Sequence, residues 1–157
     1  MLDIDVASAE RSELEAVFRA EGEKMWRALL GFTGSPEMAS DSVSEAFAQA
    51  LARGGEIRSP SAWVWKAAYQ IAAGELKRRS RGHPTLVGPV SDPDTRRDIV
   101  LALQRISPNQ RAAVLMHDYA GYDTREVASI LGMSRATVRV HLSQGRRRLR
   151  ELLEDYG

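Results

Sequence analysis

Residues 121–150, GYDTREVASILGMSRATVRVHLSQGRRRLR, leave little freedom of fold. Asp123 is placed to cap a helix, with Glu126 three positions on to complete a capping box. Tyr122 before the cap and Val127 inside the helix have the spacing of a hydrophobic staple. Val127, Ala128, Ile130 and Leu131 form the apolar side. Gly132 suits the left-handed residue that ends a helix, and Ser134 suits the cap of the next one. In that next helix Val138, Leu142, Gly145 and Leu149 recur at spacings of three and four, which turns them inward. The other side carries Arg135, Arg139, Ser143 and Arg146, flanked by Ala136, Val140 and Arg147. Between Met133 and Arg150 there are six arginines and no acidic residue.

A basic second helix held behind a short glycine turn is the helix-turn-helix pattern, whose second helix lies in the major groove of DNA. Arginine can fork onto the O6 and N7 of guanine, and small apolar side chains such as Ala136 and Val140 can meet thymine methyls. Neighbouring arginines neutralise phosphates and displace their counterions. The plainer reading is a helical hairpin with a solvated basic face. Caps, turn, inward stripe and one-sided charge all favour the DNA-reading one.

Charge is unevenly shared along the 157 residues. Residues 1–60 hold six basic and eleven acidic side chains, whereas residues 61–157 hold sixteen and ten. The net +1 therefore hides a first part at −5 and a second at +6, so the two parts suit different partners. The absence of cysteine excludes disulfides and thiolate metal sites and fits a reducing compartment. The first residues, MLDIDVASAERSE, are acidic and have no apolar stretch, unlike a secretory signal. No run is apolar enough for a transmembrane helix. A cytoplasmic protein with no membrane insertion is the expectation.

Upstream, the periodicity predicts three helices. The first covers residues 12–30, with Leu14, Val17, Phe18, Met25 and Leu29 inward and Gly31 and Gly34 marking its end. The second starts on Ser35 and Pro36 with Glu37 in its first turn, buries Ala39, Val43, Ala46, Phe47 and Ala50, and stops at Gly54-Gly55. Its outer side shows Asp41, Ser44, Glu45 and Ala48, which composition alone reads as a solvated face. The third opens at Ser59-Pro60 and runs to about Arg79. Trp63, Ala67, Ile71 and Gly74 share one side of it, and Trp65, Tyr69, Ala72 and Leu76 another. Such wide apolar cover suits the central helix of its domain. The open strip holds Lys66, Gln70 and Lys77 and leads into Lys77-Arg78-Arg79-Ser80-Arg81. Cations there complement a helix dipole, but four in five positions also suit a strip that faces nucleic acid.

Residues 82–94, GHPTLVGPVSDPD, read as a flexible linker. Thirteen residues at about 3.4 Å each reach at most about 45 Å. Beyond it, Asp94 or Thr95 starts a helix with Ile99, Val100, Leu103 and Ile106 inward. Ser107-Pro108-Asn109-Gln110 then repeats the cap and box signal. The helix that follows uses Ala113, Val114, Met116 and Tyr119 and stops near Gly121. The predicted fold is all-α: two small helical domains, residues 1–81 and 95–157, on the tether 82–94.

Catalytic chemistry has no foothold. His83, His117 and His141 share no ligand spacing, and there is neither a phosphate-binding glycine loop nor a nucleophile elbow. The acidic residues sit at helix starts and on outer faces, without a catalytic pair. Neither an enzyme nor a metal or cofactor is expected.

This layout resembles the extracytoplasmic-function (ECF) sigma factors of bacterial RNA polymerase over nearly the whole chain. Residues 12–81 are similar to the promoter-melting domain, region two, and residues 95–155 to region four, which reads the −35 element. The closest likeness lies in Ile106-Ser-Pro-Asn-Gln-Arg111, Ala120-Gly-Tyr-Asp, Glu126-Val-Ala-Ser-Ile-Leu-Gly, Ser134-Arg-Ala-Thr-Val138 and Arg146-Arg-Arg-Leu149. Looser matches are Asp41-Ser-Val-Ser-Glu-Ala-Phe47 and Ala62-Trp-Val-Trp65 through Lys77-Arg-Arg79. The resemblance implies that Arg135, Ala136, Thr137, Arg139, Val140, Ser143, Arg146 and Arg147 face the −35 element. It implies that Lys66, Gln70, Lys77, Arg78 and Arg79 lie along the −10 element, and that Asp41, Ser44, Glu45 and Ala48 dock on the clamp of the polymerase's largest subunit. Core RNA polymerase, promoter DNA and an anti-sigma factor are the implied partners. The chain departs from the family pattern at Ser44, Gln70 and Gly74, usually glutamine, asparagine and aspartate. Two elements about 17 base pairs apart lie roughly 58 Å from each other along the duplex, at ~3.4 Å per pair. The tether spans this only together with the width of the domains. Two other readings are a sigma-like decoy that binds an anti-sigma protein, and a stand-alone helix-turn-helix regulator whose first domain dimerises.

Overall fold

Serine–proline pairs open three of the helices in the computed structural model, which describes residues 2–81 and 96–155. Every regular element among these residues is helical. In order they are α1 (Leu2–Thr33), α2 (Pro36–Arg53), a 3₁₀ turn (Gly54–Glu56), α3 (Pro60–Ser80), α4 (Arg97–Leu103), α5 (Pro108–Val114) running into a π-helical turn (Leu115–Tyr119), α6 (Thr124–Leu131) and α7 (Arg135–Glu154). The all-α fold stands as the sequence predicts. Residues 82–95, with the tether, Asp94, Thr95 and His83, lie outside the described residues.

Proline at the first helical position lacks only a donor that has no partner there anyway. Ser35 Oγ accepts the Met38 amide at 3.2 Å. Ser107 Oγ accepts the Gln110 amide, and Gln110 Oε1 returns the bond to the Ser107 amide, both at 3.2 Å. Ser59 makes no such side-chain bond.

The first lobe packs α1, α2 and α3 around one core. Met25, Ala28 and Leu29 of α1, Ala39, Ala46 and Ala50 of α2, and Val64, Trp65 and Ala68 of α3 are all almost fully buried. Alanine is frequent where these helices cross, which lets their axes approach closely. Gly74 is a correction: it lies on the open side of α3, with no atom within 4 Å of where a Cβ would stand. Phe18 is another: 53% exposed, it sits on the shoulder of α1 edge-on to Phe47, ring centroids 5.1 Å apart.

The first helix also runs further than its glycines suggest, to Thr33 instead of Leu30. Gly34, at φ 72°, ends it, and Thr33 Oγ1 bonds back to the Leu29 carbonyl at 2.8 Å. Gly31 stays helical because packing overrides its weak propensity. A Cβ there would stand 3.1 Å from Leu103 Cδ1 and 3.2 Å from Leu115 Cδ2, both from the second lobe.

That second lobe packs α4–α7 around Val100, Leu103, Ile106, Ala112, Met116, Val127, Ile130, Val138 and Leu142. Two inward expectations fail. Ile99, in the first turn of the short α4, is 37% exposed, and Tyr119 is 39% exposed. The π-helical turn adds a residue to the helical repeat, and Tyr119 faces outward, with Lys24 Nζ 5.8 Å from its ring.

The lobes pack against each other. Gln104 Nε2 donates to the Gly31 carbonyl at 2.8 Å, and Trp65 meets Tyr122 edge-on at 5.9 Å. Glu21, in α1, accepts from Ser61 Oγ and from Trp65 Nε1 at 3.3 Å, which fixes the indole that Tyr122 packs on. Burial pushes the Tyr122 phenol above its usual pKa.

Candidate nucleic-acid interface

The helix-turn-helix is fixed by its caps. Asp123 Oδ1 accepts the Glu126 amide at 2.8 Å, and Glu126 Oε2 accepts the Asp123 amide at 2.9 Å. Gly132 takes the left-handed conformation, φ 67° and ψ 39°, and gives its N–H to the Ala128 carbonyl. Ser134 Oγ then accepts the Thr137 amide at 3.1 Å and starts α7. Val138, Leu142 and Gly145 are buried beneath α7. These contacts set the roll of the helix, and the roll decides what the outer face presents.

Arg135, Ala136, Thr137, Arg139, Val140, Ser143, Arg146 and Arg147 are all exposed. They are not equally available. The Thr137 hydroxyl lies 2.8 Å from Ser134 Oγ, within the cap. Arg146 forks onto Asp118, with Nε–Oδ2 at 2.8 Å and Nη2–Oδ1 at 2.5 Å. The guanidinium holds the Asp118 carboxyl below the usual carboxylate range. Among the described residues no carboxylate stands within 4.0 Å of Arg135, Arg139 or Arg147. Three free guanidinium groups with Ala136 and Val140 between them make a surface of charge and small apolar contacts.

On α3, Lys66, Gln70 and Lys77 are exposed along one side, and Arg78 and Arg79 close the helix. Here the sequence reading missed a partner. Glu75 accepts from Arg78 Nε at 3.0 Å and Nη2 at 2.6 Å, and from Arg79 Nε at 2.9 Å. The two arginines lower its pKa to about 2. The three- and four-residue spacing from Glu75 to these arginines was the available signal.

On α2, Asp41, Ser44, Glu45 and Ala48 are all exposed and share a groove with Met38, Ile71, Glu75 and Arg79. Glu45 accepts from Gln49 Nε2 at 3.1 Å. The acidic stripe thus adjoins the end of α3. The histidines do not meet: His117 Nδ1 lies 2.7 Å from the Tyr122 carbonyl, and His141 Nδ1 is buried without a partner. No group of three His, Cys, Asp or Glu suited to a metal occurs among the described residues. None of their helices is long and apolar enough to cross a membrane.

Residues 96–149, essentially α4 through the exposed face of α7, match the family model described as Sigma-70, region 4. The ECF RNA polymerase sigma factor SigM of Mycobacterium tuberculosis is 28% identical over 157 residues, covering 93% of this chain and 80% of that protein. SigL of the same organism is 29% identical over 169 residues, covering 96% and 94%. Over nearly its whole length the chain is thus similar to extracytoplasmic-function sigma factors, and its second lobe carries the sigma-70 region 4 match. Both lobes share the fold: the sigma factor RpoE of Bartonella quintana, solved in complex with the anti-sigma factor NepR, superposes with a TM-score of 0.75. It does so at 21% identity, covering 92% of this chain and 96% of RpoE.

Proposed function

We propose that this sigma factor binds core RNA polymerase and directs it to promoters by reading two DNA elements, catalysing nothing itself. The observation that carries this reading is the exposed face of α7, where Arg135, Arg139 and Arg147 stand without acidic partners beside Ala136 and Val140. Forked guanidinium groups suit guanine, and the small side chains suit thymine methyls. Ser143 completes that face. Arg146 contributes after exchanging Asp118 for a phosphate, and Thr137 contributes its methyl side.

Lys66, Gln70, Lys77, Arg78 and Arg79 serve the −10 element, and Asp41, Ser44, Glu45 and Ala48 dock on the clamp of the largest polymerase subunit. The division into a region-two domain (1–81), a tether (82–94) and a region-four domain (95–157) assigns one surface to each task. The site of action is the cytoplasm. The RpoE complex with NepR supports an anti-sigma factor as a further partner.

Copurification with core polymerase, followed by footprinting of the complex on promoter DNA, tests the reading. Protection of two segments, the upstream one lost on Arg139→Ala, is the expected result. Polymerase that does not retain the protein would sink it. Retention of an anti-sigma protein with no protected DNA would favour the decoy, and protection without polymerase the stand-alone regulator.

A further inference from the structure

Four glycines lie inside helices among the described residues, and three of them face packed side chains. A Cβ at Gly22 would touch the Phe18 ring at 3.5 Å, one at Gly31 would press on Leu103 Cδ1 at 3.1 Å, and one at Gly145 on Val114 Cγ2 at 3.1 Å. Gly74, in α3, is different. It is exposed, and no atom lies within 4 Å of its Cβ position. Its φ is not positive, so the backbone there does not call for glycine either. Glycine in a helix interior is less favourable than alanine, through lost chain entropy and exposed backbone. Gly74 therefore weakens the first lobe without serving its packing. What it leaves is a bare patch of helix backbone facing solvent.

The surroundings of that patch are chemically specific. Residues three and four positions away are the neighbours on a helix surface. For Gly74 these are Gln70, Ile71, Lys77 and Arg78: an amide, an apolar side chain and two cations. Ile71 is half-buried and the other three are exposed. Among the described residues the side chains of Gln70 and Lys77 have no hydrogen-bond or ionic partner. The acidic residue next in sequence, Glu75, is held by Arg78 Nε at 3.0 Å and Arg79 Nε at 2.9 Å, so its charge is compensated.

A nucleotide needs these groups together. The flat face of a base requires a surface from which no side chain stands out. Its edge requires a donor and an acceptor side by side, which a side-chain amide supplies. Its phosphate requires cations. In a duplex both faces of a base are covered by its neighbours, so only an unpaired nucleotide can lie flat on protein.

We propose that Gly74 is the floor of a seat for one unpaired nucleotide of the −10 element. The base face lies on the bare turn of α3 beside Ile71, its edge meets the Gln70 amide, and its phosphate meets Lys77 and Arg78. This rests on the function proposed above and makes Gly74 a specificity-determining residue of that surface. Any side chain at position 74, even a methyl group, holds the base off the backbone and away from Gln70.

Gly74→Ala should move stability and binding in opposite directions. As a better helix former it should raise the melting temperature of the full chain by roughly 2 °C. The parent complex with core polymerase selects its preferred sequence from a randomised single-stranded oligonucleotide pool. The Gly74→Ala complex should bind that oligonucleotide about tenfold more weakly, with its binding to upstream-element duplex unchanged. Gln70→Ala should select the same sequence except at one position, where the preference disappears. The proposal is overturned if Gly74→Ala binds the selected strand as tightly as the parent, or if it weakens the strand and the upstream duplex alike. It is overturned too if the melting temperature falls, since packing would then account for the glycine. A parent complex that binds upstream duplex but selects no single strand sinks the seat alone. Polymerase that does not retain the protein sinks the function itself, and the seat with it.

Discussion

The two basic surfaces of this molecule differ in how their charge is held. On α7, Arg135, Arg139 and Arg147 face water with no carboxylate within 4.0 Å among the described residues. At the end of α3, Arg78 and Arg79 share Glu75, so that two cations and one anion form a single cluster. Helices with similar formal charge thus present different fields to solvent. The arginines of α7 have hydrogen-bond donors free for a partner, whereas those of α3 must first leave a carboxylate. Scaffolding differs in the same sense. Below α7 a reciprocal capping box and a left-handed glycine fix the turn, while α3 starts on Ser59 without a side-chain cap bond. Under the function proposed above, the first surface suits discrimination and the second general attraction.

The largest effect is expected at Arg139. Arg139→Ala should reduce discrimination between matched and mismatched −35 sites by about 1–3 kcal/mol, measured by competition binding of the polymerase complex. Equal losses on both sites would place Arg139 on the phosphates. The caps come next. Asp123→Ala removes half of a capping box and should cost about 1 kcal/mol of stability, read from the denaturant midpoint. Ser59→Ala, with no side-chain cap bond to lose, should cost only a few tenths. A reversed order would mean that α3, not the helix-turn-helix, depends on its cap.

Salt dependence separates the surfaces more gently. Arg147→Ala should weaken binding evenly across sequences and lower the slope of log affinity against log salt by about one. Arg78→Ala should lower it by less, because Glu75 already shares that charge. Glu75→Gln should steepen the slope by freeing both arginines. Equal slopes for Arg78→Ala and Arg147→Ala would show that the Glu75 cluster has no effect on DNA.

The smallest effect is on pH. The pKa of Glu75 is about 2, below its ordinary value of 4.5. A carboxylate lowered by folding contributes in full above the unfolded value, and its contribution is lost as pH falls through the folded one. The last turn of α3 should therefore keep its helical chemical shifts at pH 4 and lose them only towards pH 2. Loss at pH 4 would show that the exposed pairs are screened away in solution.

Much of this is readable in the sequence because the signals are local. Caps, Gly132 and the inward stripe of α7 follow from residues within one or two turns of one another, and the exposed face follows from the stripe. Glu75 is equally local, but the cations after it read as a block until the residue one turn back is set beside them. Other features depend on partners distant in sequence. Gly31 reads as a helix end until Leu103 and Leu115 fill the space beside it, and Arg111 reads as part of a motif until Phe32 and Gln104 enclose it. Tyr119 and Ile99 fail for different reasons: the π-helical turn shifts the register that an inward pattern assumes at Tyr119, and Ile99 lies in the first turn of the short α4.

The central claim is that the unpaired α7 face chooses the promoter for a polymerase held elsewhere on the molecule. Run-off transcription with core polymerase across a library of promoters randomised in the upstream element tests it most directly. Initiation should concentrate on a narrow set of upstream sequences, and Arg139→Ala should broaden that set while leaving polymerase binding unchanged. Transcription indifferent to the upstream sequence, or unaltered by Arg139→Ala, would contradict it.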